Sequence, residues 1–258
     1  MVLAATNHDP EGRLYDQTAH VLPALQRIVG GIAIQATHAT QQRSLDLLAT
    51  AGAHVRREPA AQFSSLLELG RARRAAIDLG LQLDLPVILF CDFDRALHWA
   101  ERYPAELAQI VAELSAHDFT VLGRTERAFA SHPRTQRDTE AIVNGVYASA
   151  SGHAWDVTAA ARGISRRAAE AILAGCPEES IGTDVAWPLF LQRAGGFTIG
   201  YSATEGLEFE TADRYGEQVA AAGGVAAWIA QIDADPRRWI DRLEVARLEV
   251  AASLPYLE

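Results

Sequence analysis

Three observations predict an α/β protein with a Rossmann-like, mostly parallel sheet flanked by helices. Short apolar runs of strand length alternate with longer stretches whose apolar residues recur at helical spacing. One run, Pro86 to Phe90 (PVILF), is continuously apolar, which marks a central strand covered on both faces. The chain has 258 residues, 49% hydrophobic and 22% charged, enough for one large core in a globular protein.

Val2 to Thr6 reads as the first strand, entering a polar loop at Asn7 to Asp9. Tyr15 to Val29 carries Val21, Leu22, Leu25 and Ile28 at helical spacing and stops at Gly30-Gly31. Gly31 to Ala36 predicts a second strand, Thr40 to Ala51 a second helix, and Ala53 to Arg56 a short third strand. Ser65 and Glu68 have the form of a capping box, opening a helix that runs to Leu79 before Gly80. The PVILF strand follows, so right-handed crossovers place Asn7 to Asp9 and Cys91 to Arg95 on one carboxyl edge, where such sheets bind ligands.

The second half predicts a helix near Ala105 to Ala116, a strand at Phe119 to Leu122, and a charged loop from Ser131 to Asp138 that reads as a lid over the site. Helices are expected near Thr139 to Ala150, at Ile164 to Leu173 with Ser165 as cap, and at Asp184 to Arg193. Phe197 to Tyr201 reads as a strand, and Glu217 to the end as helix.

A net charge of −10 argues against a nucleic-acid surface, which needs clustered positive charge. All 23 basic residues are arginine, so phosphate-binding and Schiff-base mechanisms that require lysine are excluded. Cys91 and Cys176 form no paired motif and read as reduced, buried thiols. No apolar run approaches the roughly 18 residues of a membrane span, and Asn7 to Asp9 come too early for a signal peptide. Both readings predict a cytoplasmic protein.

Cys91-Asp92-Phe93-Asp94-Arg95 sets two carboxylates directly after the buried strand. Carboxylate oxygens suit hard cations such as Mg²⁺ or Mn²⁺, and Mg²⁺ commonly takes one or two of them together with substrate phosphate oxygens and water. Two families place acids after such a strand. The haloacid-dehalogenase phosphatases use a D-x-D nucleophile, but they expect a later acidic G-D-x-x-x-D, absent here, and usually place the nucleophile near the domain start.

The second is the nucleotide-sugar-dependent glycosyltransferases of GT-A fold, in particular the mannosylglycerate-synthase-like, family 2-like branch. Gly70 to Ala76 followed by Val87 to Asp94 resembles their helix-then-D-x-D segment. Ala161 to Ser165 with Ala168 to Leu173, then Glu179 to Trp187, is similar to their acceptor segment and its acidic motif. Glu205 to Thr211 follows the next strand as in that family.

The resemblance implies a metal-dependent transfer of a sugar from a nucleotide diphosphate donor to the hydroxyl of a small molecule or glycan. Asp94 would ligate the metal and Asp92 would contact the ion, ribose or sugar, with Glu208 as third ligand where the family often has a histidine. Thr6, Asn7 and Asp9 match the base- and ribose-binding position, and Asp184 the acid that activates or orients the acceptor. Arg71 and Arg74 are candidates for the diphosphate, and Trp155, Asp156 and Trp187 for the acceptor pocket.

The implied organisation is one domain over 1–258. Within it lie a nucleotide-sugar half (1–95), an acceptor half (96–215) and a C-terminal helical segment (216–258), with a second copy of the chain among the expected partners. A sugar-nucleotide binding protein without catalysis is the alternative from another class.

Overall fold

A computed structural model describes residues 1–59 and 65–257. Seven strands form one sheet in the order β3-β2-β1-β4-β6-β5-β7. They are β1 (Val2–Asn7), β2 (Gly31–Ala36), β3 (His54–Arg57), β4 (Val87–Asp92), β5 (Phe119–Arg124), β6 (Ala161–Ser165) and β7 (Ile199–Thr204). All neighbouring pairs are parallel except those of β6, which runs antiparallel to both β4 and β5.

Side chains alternate across the sheet and build one core on each face. Leu3, Ile34, Leu89 and Leu122 pack under α1 (Tyr15–Ile28) and α4 (Phe93–Arg102), with Leu25, Leu97 and Trp99 fully buried. On the other face Ala4, Phe90, Val121 and Ile164 meet α3 (Leu69–Leu81), α7 (Arg134–Ser151), α8 (Arg166–Gly175) and α9 (Thr183–Ala194). Helix α2 (Gln42–Thr50) lies beside β3, α5 (Pro104–Glu113) packs on α4 and α1, and α6 (Glu126–Ala130) lies beside β5. After β7 come α10 (Thr211–Arg214) and then the C-terminal helices α11 (Gly216–Ala222), α12 (Val225–Ala234) and α13 (Pro236–Ala251). No helix among the described residues is long and apolar enough to cross a membrane.

The structure departs from expectation in several places: α4 and α6 are helices that the sequence pattern does not announce, β7 starts at Ile199 rather than Phe197, and the helix expected from Glu217 is broken into α11, α12 and α13. Ile164 and Ser165, expected to open a helix, end the strand Ala161–Ser165, and the helix starts at Arg166; Ser165 does cap it, accepting from the Ala168 N–H. The expected lid at Ser131 to Asp138 is instead the entry to α7, where His132 is buried and Asp233 accepts from the Thr135 N–H. The helix expected from Ser65 starts at Leu69, although Ser65 does bond the Glu68 side chain.

Strand order fixes where a ligand can sit. The chain winds outward from β1 through β2 to β3, then returns to place β4 on the other side of β1. That reversal opens a crevice at the carboxyl ends of β1 and β4. Thr6 and Asp92 face each other there in register.

Candidate functional site

A cavity of about 450 Å³ occupies this crevice, within the range of small-molecule sites. Its walls come from the ends of four adjacent strands: Glu58 after β3, Gln35 and Ala36 of β2, Thr6 and Asn7 of β1, and Asp92 of β4 with Asp94 beyond. Leu14, Leu66, Leu69 and Ala72 give it an apolar side, and Arg214 of α10 closes it. Three strand spacings separate β3 from β4, about 14 Å. The cavity therefore suits an elongated ligand lying across the strand ends.

At one end, Thr6 Oγ1 donates to Asp92 Oδ1 at 2.5 Å. Asp92 is the N-cap of α4, and Asp94 lies in its first turn, where it accepts from the Arg95 N–H at 3.0 Å. The positive end of the α4 dipole thus meets the acids and any anion bound beside them. Arg214 Nη1 donates to Asp94 Oδ2 at 3.0 Å, and its Nη2 to the His8 carbonyl at 2.9 Å. At the other end, Glu58 Oε1 accepts from the His38 N–H at 3.1 Å and lies 3.1 Å from His38 Nδ1.

Two buried oxygens in this cavity have no partner among the described residues. Glu58 is 3% exposed with Oε2 unpaired, and Asn7 is 3% exposed with Oδ1 unpaired. An unsatisfied buried acceptor costs about 1–3 kcal/mol, so each calls for a donor from a ligand or water.

No family model and no curated protein sequence matches this chain. The reading of the site therefore rests on its own geometry.

Of the residues expected from sequence, Thr6, Asn7, Asp92 and Asp94 come together in the cavity. The others do not. Asp9 is fully buried beneath it, its carboxylate accepting from the Arg13 and Leu14 N–H groups, so it shapes the turn into α1. Arg71 pairs with the exposed Glu179 at 2.6 Å. Arg74 donates to the carbonyls of Ile172, Leu173 and Cys176, closing the C-terminal end of α8.

Glu208, expected as the third metal ligand, is held by Arg127 at 2.6 Å and His98 at 3.3 Å, away from the cavity wall. Asp184 is 4% exposed and sits between Arg73 at 3.0 Å and Arg162 at 3.2 Å, both also buried. A carboxylate clamped by two guanidinium groups inside the core cannot reach an acceptor hydroxyl. Trp187 packs edge-on against Phe90 in the core, and Trp155 stacks between His153 and Tyr201. Asp156 holds Arg124 at 2.8 Å; burial opposes its charge, but the bonds from Arg124 and Asn144 bring its pKa far below the usual carboxylate range.

Sequence reasoning missed Gln35, His38, Glu58 and Arg214 as wall residues. Glu58 carried a readable signal, since it directly follows a short strand on the ligand edge. Arg214 carried none, being brought there by tertiary packing.

The donor set bears on a metal. Among the described residues no three His, Cys, Asp or Glu side chains converge into a ready-made cage. Two carboxylates of one cavity nevertheless fit an Mg²⁺ or Mn²⁺ ion that completes its shell with substrate phosphate and water. Asp92 and Asp94 would hold it.

Proposed function

We propose that the protein is a GT-A-type glycosyltransferase, acting in the cytoplasm, that moves a sugar from a nucleotide diphosphate donor to a hydroxyl acceptor. One observation carries this reading: the cavity runs from an unpaired, buried acceptor at Glu58, past a second at Asn7, to a cation and two carboxylates at Arg214, Asp92 and Asp94. A nucleoside diphosphate offers the matching sequence of groups, with N–H and O–H donors at its base and ribose and negative charge at its far end. Glu58 and Asn7 would receive those donors, and the apolar wall of Leu66, Leu69 and Ala72 would cover the base.

Asp92 and Asp94 would bind a divalent ion, which supplies charge stabilisation to a departing diphosphate. Thr6 orients Asp92 through its hydroxyl, and the α4 N-terminus adds a fixed partial positive charge. Displacing water from the apolar side strengthens each of these interactions.

The test is a thermal-shift series of nucleoside diphosphates with and without Mn²⁺. A ligand at about 100 times its Kd adds about 2.7 kcal/mol of stability. At least one nucleotide should stabilise the protein in a metal-dependent way, and Asp94→Asn should remove the metal-dependent part while leaving the fold intact. An unchanged metal response in Asp94→Asn sinks the assignment. Sugar transfer or donor hydrolysis separates an enzyme from a binding protein that only holds the donor.

A further inference from the structure

We infer that Arg214 is an exchangeable cation of this cavity: it occupies Asp94 when the site is empty and moves to the diphosphate when a divalent ion and the donor arrive. The inference rests on the nucleotide-diphosphate reading above and adds a residue and an order of events to it.

Among the described residues Arg214 is the one arginine on the cavity wall. Its guanidinium is only partly engaged. Nη1 meets Asp94 at 3.0 Å and Nη2 meets the His8 carbonyl at 2.9 Å, while Nε is buried with no partner. Once it leaves Asp94, such a guanidinium can offer a phosphate group two parallel N–H bonds. The chain contains no lysine that could take this place.

Charge sets the direction of the exchange. Asp92, Asp94 and Glu58 bring three carboxylates to the wall against the single guanidinium of Arg214. A diphosphate entering this field is repelled unless further positive charge enters with it, so ion and donor must support each other's binding. The ion also competes with Arg214 for Asp94, because two cations on one carboxylate repel each other at contact distance. Arg214 therefore weakens binding of the ion alone and strengthens binding of the diphosphate.

A built support carries the side chain. Arg13 donates to the Arg214 carbonyl at 3.4 Å and stacks over Tyr215 at 4.7 Å. Asp213, the preceding residue, is held by His98 at 2.6 Å. The backbone is fixed on both sides of Arg214, leaving its long side chain as the part free to switch partners.

The experiment measures Mn²⁺ binding to the full-length protein by the electron paramagnetic resonance of free Mn²⁺, and pyrophosphate binding by calorimetry at saturating Mn²⁺. Wild type, Arg214→Gln and Arg214→Lys are compared, with circular dichroism melts confirming that each is folded. Arg214→Gln should bind Mn²⁺ alone at least about fivefold more tightly, the lower end of ordinary coupling between sites. It should bind pyrophosphate at least about tenfold more weakly, as expected for losing a charge-assisted hydrogen bond. Arg214→Lys should keep the weak Mn²⁺ binding of the wild type and recover part of the pyrophosphate affinity.

Unchanged Mn²⁺ affinity in Arg214→Gln overturns the exchange. If wild type and variants bind nucleoside diphosphates equally well, only this inference falls and the nucleotide reading stands. If wild type and Arg214→Gln bind neither Mn²⁺, pyrophosphate nor any nucleoside diphosphate, both fall together.

Discussion

Asp184 offers the sharpest test of structural against catalytic use of a buried acid. Asp184→Asn removes the charge shared by Arg73 and Arg162, which are 3% and 1% exposed and contact the carboxylate at 3.0 and 3.2 Å. Burial lowers the Arg162 pKa more than Asp184 restores it, while Arg73, with Asp92 and Glu249 also near, is raised. Asp184 Oδ2 meets Arg73 and Oδ1 meets Arg162, so one carboxylate serves two buried cations. Removing one partner of a buried pair costs about 3–5 kcal/mol, since the remaining charge is stranded. For a chain of this size each kcal/mol lowers Tm by about 2–4 °C, so Asp184→Asn should melt about 6–20 °C below wild type. Differential scanning calorimetry measures this directly, and nucleotide affinity of the folded fraction should be unchanged because Asp184 is not a cavity residue. A variant that melts within about 2 °C of wild type yet loses sugar transfer would refute the argument and restore Asp184 as the acceptor base.

Glu58→Gln should keep pyrophosphate binding with Mn²⁺ while weakening nucleoside diphosphates about tenfold, because a buried acceptor facing a ring or ribose donor is lost at one end only; calorimetry with both ligands separates the two ends. Arg74→Met should cost about 1–3 kcal/mol in urea unfolding through the carbonyls it leaves unpaired at the end of α8, with no change in diphosphate affinity. The bonds of His98 to Asp213 and Glu208 should be pH-dependent. Burial disfavours its cation, but the hydrogen bond and charge of Asp213, with Glu210 and Glu208, outweigh that and raise its pKa above 6.5; Arg102 and Arg127 lie at the outer side of the same acids. With the folded-state pKa raised, its stabilisation is complete below pH 6.5 and is lost as pH rises through the folded value. Melts across that range should fall more steeply for wild type than for His98→Gln, and equal slopes would show that these pairs add no stability.

The first half of the fold is legible because its core strands obey simple patterns. Val2 to Asn7, Gly31 to Ala36 and Val87 to Asp92 are apolar and bounded by turn residues, and their covering helices repeat at helical spacing. Strand β6 escapes because it carries Arg162, a residue that hydropathy assigns to the surface. The structure buries it by pairing its two terminal nitrogens with the carbonyls of Ala161, Val157 and Asp184 and with the Asp184 carboxylate. A strand whose polar residue is solvated by protein rather than water leaves no period-two signal. The entry to α7 escapes for a related reason, since its charged residues Arg134 and Asp138 bond each other along the helix surface.

The same blindness governs the site. Acids adjacent in sequence to a buried strand are tied to the ligand edge by chain geometry, so strand periodicity is enough to place Asp92 and Asp94 there. Arginines are not, because a long flexible side chain serves a helix end, a buried acid or a ligand equally well, and only its neighbours distinguish these uses. Arg71 and Arg74 sit on the helix beside the D-x-D strand, yet their neighbours are Glu179 and the carbonyls of α8. Arg214 lies 120 residues beyond Asp94 and reaches it only because α10, which follows β7, packs beside the crevice. In a chain whose basic residues are all arginine, the cation of the site is therefore identified by its place on the cavity wall, a property that exists only after folding.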